Sequence, residues 1–320
     1  MNLPVLGIDI AKATFHAALL HKGKLHHQRF DNTESGFAKL QAWLAKHGCK
    51  RLHSCMEATA SYGLDLALLL DQAGHTVSIV NPARIKGFAQ SELQRNKTDK
   101  LDAALIARFC AQKQPEAWTP PPAEIQQLQA LMRRLEALQQ MRQQEVNRLG
   151  QVGKQALIRQ SLETIIRTLD SEMASLRHLI KDPIDQHPHL RRDRDLLVSI
   201  PGIGETTASW LLSEVRMSAY TSARQVAAHA GLTPRHRESG KSVRGPTRLS
   251  KTGNARLRRA MYLPAVVAKR YNPIIRAFCE RLNQRGKRPM EIIGAAMRKL
   301  LHIAYGVLKS GKAFDPSFAA

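Results

Sequence analysis

The sequence is poor in aromatic residues, paired cysteines and long apolar runs. Aromatic side chains make up 5% of the 320 residues, and the four cysteines have no Cys-x-x-Cys spacing, which argues against a disulfide framework or a cysteine zinc site. There is no cleavable signal sequence, no apolar run long enough to span a bilayer, and no Gly-x-x-x-x-Gly-Lys-Ser/Thr phosphate loop. We therefore expect a cytoplasmic, helix-rich protein that does not enter a membrane and does not use ATP bound by such a loop.

Acidic residues are scarce relative to basic ones. The chain has 49 Lys and Arg against 26 Asp and Glu, a formal net charge of +23. The excess is concentrated in residues 231–320, which contain 20 Lys and Arg against 4 Asp and Glu. An ordinary solvated basic surface does not require such a concentration at one end of the chain. The distribution indicates a polyanionic partner, and nucleic acid is the expected one.

Strand and helix patterns alternate through the first third of the chain. Residue types and hydrophobic periodicity predict strands at 5–11, 15–20, 24–30, 51–57 and 76–80, and helices at 35–46, 64–73 and from 98 onward. Three strands followed by helix, strand, helix, strand and helix is the order of a ribonuclease H-like (RuvC-like) α/β domain. We assign that domain to residues 1–117.

Four acidic residues stand at the ends of these predicted elements. Asp9 interrupts an apolar strand, where an unpaired carboxylate would be costly, and Glu57 ends a later strand. Asp99 and Asp102 lie in the first turn of a helix that Thr98 can cap, a position that the helix dipole alone would explain. All four together favour a metal site over separate structural roles, because two Mg²⁺ ions held by carboxylates can flank a phosphodiester.

The character of the chain changes after Trp118. Three consecutive prolines, residues 120–122, form a stiff linker, and two apolar seams at helical spacing follow, the second with a seven-residue repeat from Leu162 to Leu176. The pattern fits an antiparallel helical hairpin or an intersubunit coiled coil, and ordinary core-packing helices explain it equally well. We assign residues 118–190 to this linker and arm.

The remaining residues, 191–320, read as a mainly α, basic domain. The segment Ile200-Pro201-Gly202-Ile203-Gly204 before a helix resembles a helix-hairpin-helix motif, in which Gly202 and Gly204 would let backbone N–H groups approach phosphate. Alternatively it is a tight turn between two helices.

A basic loop is predicted over residues 234–245. It contains Ser239 beside a glycine, where the hydroxyl could act as a nucleophile, although a serine in that position is more often a turn residue. Basic residues in the loop and in the helix predicted after it are candidate phosphate contacts that position DNA without reading its sequence: Arg235, Arg237, Lys241, Arg244, Lys251 and Arg256.

Taken together, these motifs resemble one family over essentially the whole chain: the bacterial insertion-sequence transposases with an N-terminal RuvC-like DEDD domain and a C-terminal serine-containing transposase domain, described as recombinases guided by a bridge RNA. The segments that carry the resemblance are Gly7-Ile8-Asp9-Ile10-Ala11-Lys12, Met56-Glu57-Ala58-Thr59, Asn96-Lys97-Thr98-Asp99-Lys100-Leu101-Asp102-Ala103, Ile200-Pro201-Gly202-Ile203-Gly204, Gly231-Leu232-Thr233-Pro234-Arg235, Glu238-Ser239-Gly240 and Ser250-Lys251-Thr252-Gly253.

The resemblance implies a function and a set of partners. It implies Mg²⁺, two ions per site, bound by Asp9, Glu57, Asp99 and Asp102, and a catalytic nucleophile at Ser239, with Ser242 as a weaker candidate. Glu238 replaces a serine that many relatives carry, which removes one rival nucleophile. Also implied are donor and target DNA, a non-coding bridge RNA, a homo-oligomer between dimer and tetramer, and a bacterial, nucleoid-associated location.

Two other functions remain compatible with the residues. A metal-dependent junction nuclease would need only the four carboxylates and a water nucleophile. A non-enzymatic nucleic-acid-binding protein would need only the basic C-terminal region, but it would leave Asp9 in its apolar strand without a purpose.

Overall fold

The computed structural model describes residues 3–58, 62–93, 98–153, 155–239 and 243–317, with the backbone alone at 236–239, 243–244 and 246. The chain forms two compact units, residues 1–120 and 121–320. Within the described ranges, none of the helices combines the length and apolar character needed to cross a bilayer.

The first unit is a mixed α/β structure around a five-stranded sheet. Its strands are β1 Val5–Ile10, β2 Thr14–His21, β3 Lys24–Asp31, β4 His53–Glu57 and β5 Thr76–Val80, and their order across the sheet is β3-β2-β1-β4-β5. Strand β2 is antiparallel to β1 and β3, whereas β4 and β5 run parallel to β1. The helices are α1 Glu34–Lys46, α2 Leu64–Gln72, α3 Pro82–Ser91 and α4 Asp99–Lys113.

The predicted order of elements is confirmed except for one helix. Helix α3 is additional to the prediction, although the sequence contains its start signal: Asn81 caps it by accepting a hydrogen bond from the Ala83 backbone N–H at 2.8 Å, and Pro82 occupies the first helical position. A tight hairpin turn joins β2 to β3, with Lys22 and Gly23 at φ values of 49° and 74°.

The two faces of the sheet are covered by different helices. Leu6, Ile8 and Ile10 of β1 belong to a core that includes buried residues of α1 and α2, whereas Val5 belongs to a second core formed largely by α4. Because successive side chains of a strand point to opposite faces, the sheet has an α1/α2 face and an α4 face. The candidate acids must be assigned to one of these faces.

The second unit is largely helical. Its helices are α5 Ala123–Leu149, α6 Ala156–Asp185, α7 Pro188–Val198, α8 Glu205–Glu214, α9 Ala223–His229, α10 Ala255–Ala260, α11 Tyr262–Tyr271, α12 Pro273–Gln284 and α13 Pro289–Ser310, with a short 3-10 helix at Met217–Ala219. The mainly α architecture predicted for the C-terminal region is therefore confirmed. Pro183 lies inside the last turn of α6, which continues to Asp185.

The arm predicted from the apolar seams is a pair of helices packed against each other. Leu128, Leu135 and Leu138 of α5 share a core with Leu169 and Leu176 of α6. The same core continues through the buried residues of α7, α8, α11 and α13. The apolar seams are therefore buried within this chain along the part of the arm where both helices contribute to the core.

The segment predicted as a basic loop is a two-stranded antiparallel sheet. Strand β6 spans Pro234–Ser239 and strand β7 spans Val243–Leu249, with a register irregularity between Arg235 and Arg237. The prediction of a basic loop over residues 234–245 is therefore wrong for the described residues. Backbone hydrogen bonds pair the two segments, although their side chains do not alternate between apolar and polar as in a half-buried strand. Residues 240–242 lie outside the described residues.

Candidate functional site

Asp9 lies on the α4 face of the sheet. It is two residues beyond Gly7, which is itself two beyond Val5, and side chains at such spacing share a face. At Gly7 the backbone of α4 comes so close that a Cβ atom would lie 2.2 Å from the Ala103 carbonyl oxygen and 2.3 Å from the Ala107 nitrogen. Glycine is therefore required at position 7, and α4 covers the strand just before Asp9.

A row of polar side chains crosses the sheet beside Asp9. His16 of β2 pairs with Asp9, and Arg29 of β3 pairs with His16. On the other side, Ile8 pairs with Met56, so Glu57 follows one position later beside Asp9. Ala18 and Cys55 both belong to the core formed largely by α4. His16 and Glu57 are two residues away from them on the same strands, so they lie on the same face as Asp9. Neighbours in such a row are about 5 Å apart at Cβ.

Helix α4 runs antiparallel to β1 and carries its first turn toward this row. The Cys110 thiol, late in the helix, is 4.0 Å from the carbonyl oxygen of His53, and His53 pairs with Val5 at the start of β1. The step from Ala103 back to Asp99 is about 6 Å along the helix. The step from Gly7 to Asp9 is about 7 Å along the strand. Because the two steps run in the same direction from the Gly7–Ala103 contact, Asp99 and Asp9 lie at about the same position along the strand.

The start of α4 is built as the sequence predicts. Thr98 caps the helix, its hydroxyl accepting a hydrogen bond from the Leu101 backbone N–H at 3.3 Å. Asp99 and Asp102 both stand in the first turn, which stabilises negative charge. The Asp99 carboxylate lies 3.6 Å from Nδ1 of His16, and its side chain remains 72% exposed.

Asp9 and Glu57 therefore share one face at one end of the sheet, and Asp99 and Asp102 lie in the first turn of the helix that covers this face. Their carboxylate oxygens are the donor set that Mg²⁺ and Mn²⁺ prefer. Within the described ranges, however, no group of three or more His, Cys, Asp or Glu side chains is arranged to hold a metal ion. The carboxylate oxygens suit a divalent ion by their chemistry. In the described part of the chain, however, fewer than three candidate ligand side chains come close enough together to hold one.

Other polar groups on this face are not evident from sequence patterns alone. His16 and Arg29 join the row through cross-strand pairing that only the register reveals. His27, paired with Ala18 and so also on this face, has a pKa lowered by burial and then by the nearby charge of Lys100. Alternation along β2 and β3 is the signal that could place these residues.

The segment Ile200–Gly204 connects α7 and α8, as both a helix-hairpin-helix motif and a tight turn predict, and its two glycines differ. Gly202 has φ 107°, and a Cβ there would lie 2.7 Å from Cβ of Ala268 on α11 and 2.9 Å from the Pro264 carbonyl oxygen. Gly204, the N-cap of α8, is exposed and has open space beside it. Gly202 thus serves close packing of helices, and Gly204 is the position that remains open to a phosphate.

Ser239 is the last residue of β6, where its backbone pairs with Val243. Two backbone hydrogen bonds join the residues just before β6 to those just after β7. Ser250 N donates to Thr233 O at 2.8 Å, and Lys251 N donates to Gly231 O at 3.1 Å. A partly buried pair lies next to these bonds: Asn254 Nδ2 donates to Glu214 Oε2 at 2.5 Å. Burial lowers the pKa of the neighbouring His229, although Glu214 opposes that shift.

The candidate phosphate contacts do not form a uniform group. Arg235 and Lys251 are exposed, and Lys251 adopts a left-handed backbone with φ 56°. Arg256 instead binds Glu136 of α5 at 3.1 Å, and Arg259 binds the same carboxylate. The side chains of Arg237 and Arg244 are not described, and Lys241 and Ser242 lie outside the described residues.

A mixed α/β unit with a central sheet, followed by a largely helical unit, is the architecture of transposases whose N-terminal domain is ribonuclease H-like. Residues 6–158 match the IS110 DEDD family described as "Transposase", and residues 194–280 match the "Transposase IS116/IS110/IS902 family". The chain belongs to the IS110 family of transposases, enzymes that act on DNA.

Curated relatives resemble the chain along its full length. The "Pilin gene-inverting protein" of Moraxella bovis and that of Moraxella lacunata are each 36% identical to it, with 98% of both chains covered. The "Transposase for insertion sequence element IS1328" of Yersinia enterocolitica is 26% identical over 98% of this chain and 99% of its own.

Proposed function

We propose that this transposase breaks and rejoins DNA strands through a covalent intermediate on Ser239. The Ser239 Oγ attacks a phosphodiester phosphorus, the bond from phosphorus to the 3′ oxygen breaks, and the serine proton is transferred to the departing 3′ oxygen. One phosphoester replaces another, so rejoining needs no ATP. The scheme is compatible with a sequence that has no Gly-x-x-x-x-Gly-Lys-Ser/Thr loop.

In this proposal the acids hold divalent metal ions beside the reacting phosphate. Asp9 and Glu57 would contribute ligands from neighbouring strands, and Asp99 and Asp102 from the first turn of α4. When bound, Mg²⁺ supplies positive charge that offsets charge developing on the phosphate and on the departing oxygen. The single observation that carries the proposal is the contact that links the sheet to α4: His16, the partner of Asp9 in the register of β1 and β2, has Nδ1 3.6 Å from the Asp99 carboxylate.

The test is a search for the covalent adduct. Full-length protein is incubated with Mg²⁺ and labelled DNA carrying the ends of its own element, together with any transcript from the flanking non-coding DNA, and is then denatured. Wild type should retain label, Ser239→Ala should lose the adduct, and Ser242→Ala should keep it.

Two results would contradict the scheme. An adduct that persists in Ser239→Ala and disappears in Ser242→Ala assigns the nucleophile to Ser242. Strand cleavage that persists in Ser239→Ala, without any adduct, indicates a metal-dependent nuclease that uses water. Asp9→Asn serves as the metal-site variant and should reduce cleavage at least about a hundredfold.

We also propose a guide RNA that selects donor and target DNA. The 20 Lys and Arg against 4 Asp and Glu in residues 231–320 support binding of several nucleic-acid strands, since backbone contacts dominate affinity. The relatives named for pilin gene inversion suggest that the rearrangement includes inversion as well as insertion. The flanking transcript should bind the purified protein and be required for cleavage. Cleavage that proceeds equally well without RNA would reject this part of the proposal.

We propose that the arm contributes to a homo-oligomer of two to four subunits. Near the α5–α6 connection, Met141, Leu157, Ile158 and Ile165 are exposed, so the apolar pattern continues beyond the part buried within the chain. Light scattering with and without nucleic acid should give a mass of at least two chains. A monomer under both conditions would reject this part of the proposal.

A further inference from the structure

His16 stands between the candidate metal ligands without being one of the four acids. It lies opposite Asp9 in the antiparallel register of β1 and β2, and its Nδ1 is 3.6 Å from Oδ2 of Asp99. Its side chain is 24% exposed, against 72% for Asp99. A largely covered imidazole therefore contacts a carboxylate that is otherwise mostly in solvent.

The requirements of folding do not by themselves explain an imidazole at this position. Ala18, the next residue of β2 on the same face, is fully buried in the core formed with α4. An apolar side chain at position 16 could extend that packing, whereas a covered polar ring needs a partner. Asp99, for its part, would satisfy the helix dipole in any outward rotamer. Their contact brings the carboxylate toward the sheet.

We propose that His16 is a positioning residue of the carboxylate site. Its Nδ1–H donates to Oδ2 of Asp99 and holds that carboxylate toward Asp9, so that a divalent ion meets a ligand already oriented. In the structure the two atoms are 3.6 Å apart, which is longer than a hydrogen bond, so the proposed bond requires a side-chain rotation that shortens this distance to about 3 Å. This inference rests on the metal site of the proposed function and adds a residue to it.

The expected effect follows from how such partners act in other metal sites. Removing a group that orients a ligating carboxylate typically weakens metal binding by about ten- to a hundredfold. His16→Ala should therefore weaken Mn²⁺ binding at least about tenfold. His16→Asn should retain most of the affinity, because its amide nitrogen lies near the position of Nδ1 and can donate the same hydrogen bond.

The experiment measures free Mn²⁺ by electron paramagnetic resonance during titration of full-length protein without nucleic acid. His21→Ala is the matched control for His16→Ala, since His21 lies on the same strand but on the other face and at the other end of the sheet. It should bind Mn²⁺ as wild type does. If His16→Ala loses its thermal transition, His16→Leu replaces it, keeping the volume without a donor.

A double-mutant comparison separates positioning from general structural support. In an Asp99→Ala background, His16→Ala should cause no further loss of Mn²⁺ affinity, because the carboxylate that it orients is gone. An equal loss in both backgrounds would overturn the positioning role. Wild-type affinity in His16→Ala, with affinity lost in Asp9→Asn, would also overturn it while leaving the metal site intact. Mn²⁺ binding that Asp9→Asn does not weaken would reject the metal site, and the role of His16 with it.

Discussion

The two units carry their candidate chemistry in different ways. In the first unit, the acids are brought together by packing between segments far apart in the sequence, β1, β4 and α4. In the second, Ser239 is placed by a local hairpin whose two strands are separated by three residues. The first site depends on the contact of Gly7 with the backbone of α4, which leaves no space for a methyl group. The second depends on hydrogen bonds between β6 and β7 and on the backbone hydrogen bonds at the start of the hairpin.

This difference indicates how each site can be damaged. A change in the packing of α4 on β1 moves Asp99 and Asp102 relative to Asp9, so it disturbs the whole carboxylate site at once. Changes to exposed cations of the second unit leave the packing intact and affect only the charge offered to nucleic acid. Substitutions in the two units should therefore separate into structural and binding effects.

The largest effect is expected from Gly7→Ala. The added methyl group would meet the backbone of Ala103 and Ala107, which cannot move aside without displacing α4. We expect a loss of about 3 kcal/mol in the free energy of unfolding. Chemical denaturation monitored by hydrogen exchange should locate this loss of stability in residues 1–120.

Gly87→Ala is the matched control for that substitution. Gly87 lies in α3, is exposed, and has nothing within 4 Å of the position of an added Cβ. Alanine there should leave stability unchanged or raise it by up to about 1 kcal/mol. If Gly7→Ala is as stable as wild type, α4 does not lie on β1 as described, and the placement of Asp99 beside Asp9 fails.

An intermediate effect is expected from Arg235→Gln and Lys251→Gln. Both side chains are exposed, and removing one cation that binds a phosphate should reduce the slope of log affinity against log salt by about 0.9. The weakening should be similar for DNA of different sequences. Arg256→Gln provides the comparison, since Glu136 already offsets the charge of Arg256, and it should weaken binding less. Equal decreases in affinity for all three variants would contradict the distinction.

The smallest effect is expected for the pH dependence of the second unit. Burial lowers the pKa of His229 in the folded protein, whereas the unfolded chain takes up that proton near the ordinary value of about 6.5. The unfolded state therefore binds more protons as the pH falls below that value, and stability is lost in the same direction. His229→Gln should reduce this loss in residues 121–320, measured by hydrogen exchange between pH 7 and pH 5. A substitution at the exposed His178 should not reduce it.

Periodic segments are predictable because their local pattern agrees with their environment. The prediction for strand β5 has the observed ends, and that for α1 is within one residue at its start. Helix α3 escapes prediction because its apolar residues are few and because Pro82, its first residue, also marks the end of β5. The β6–β7 hairpin escapes prediction because basic residues, two prolines and Gly245 leave its strands without an apolar–polar alternation.

Residue types and short-range spacing are enough to identify the candidate acids, the Thr98 cap, the basic C-terminal region and the resemblance to a transposase family. Three other relations require the folded chain: Asp9 and Glu57 share one face of the sheet, Gly7 sets the approach of α4, and His16 stands beside Asp99. Those relations depend on strand register and on contacts between distant segments. No local sequence pattern predicts the contact between His16 and Asp99. These residues are far apart in the chain and meet only when α4 packs on the sheet.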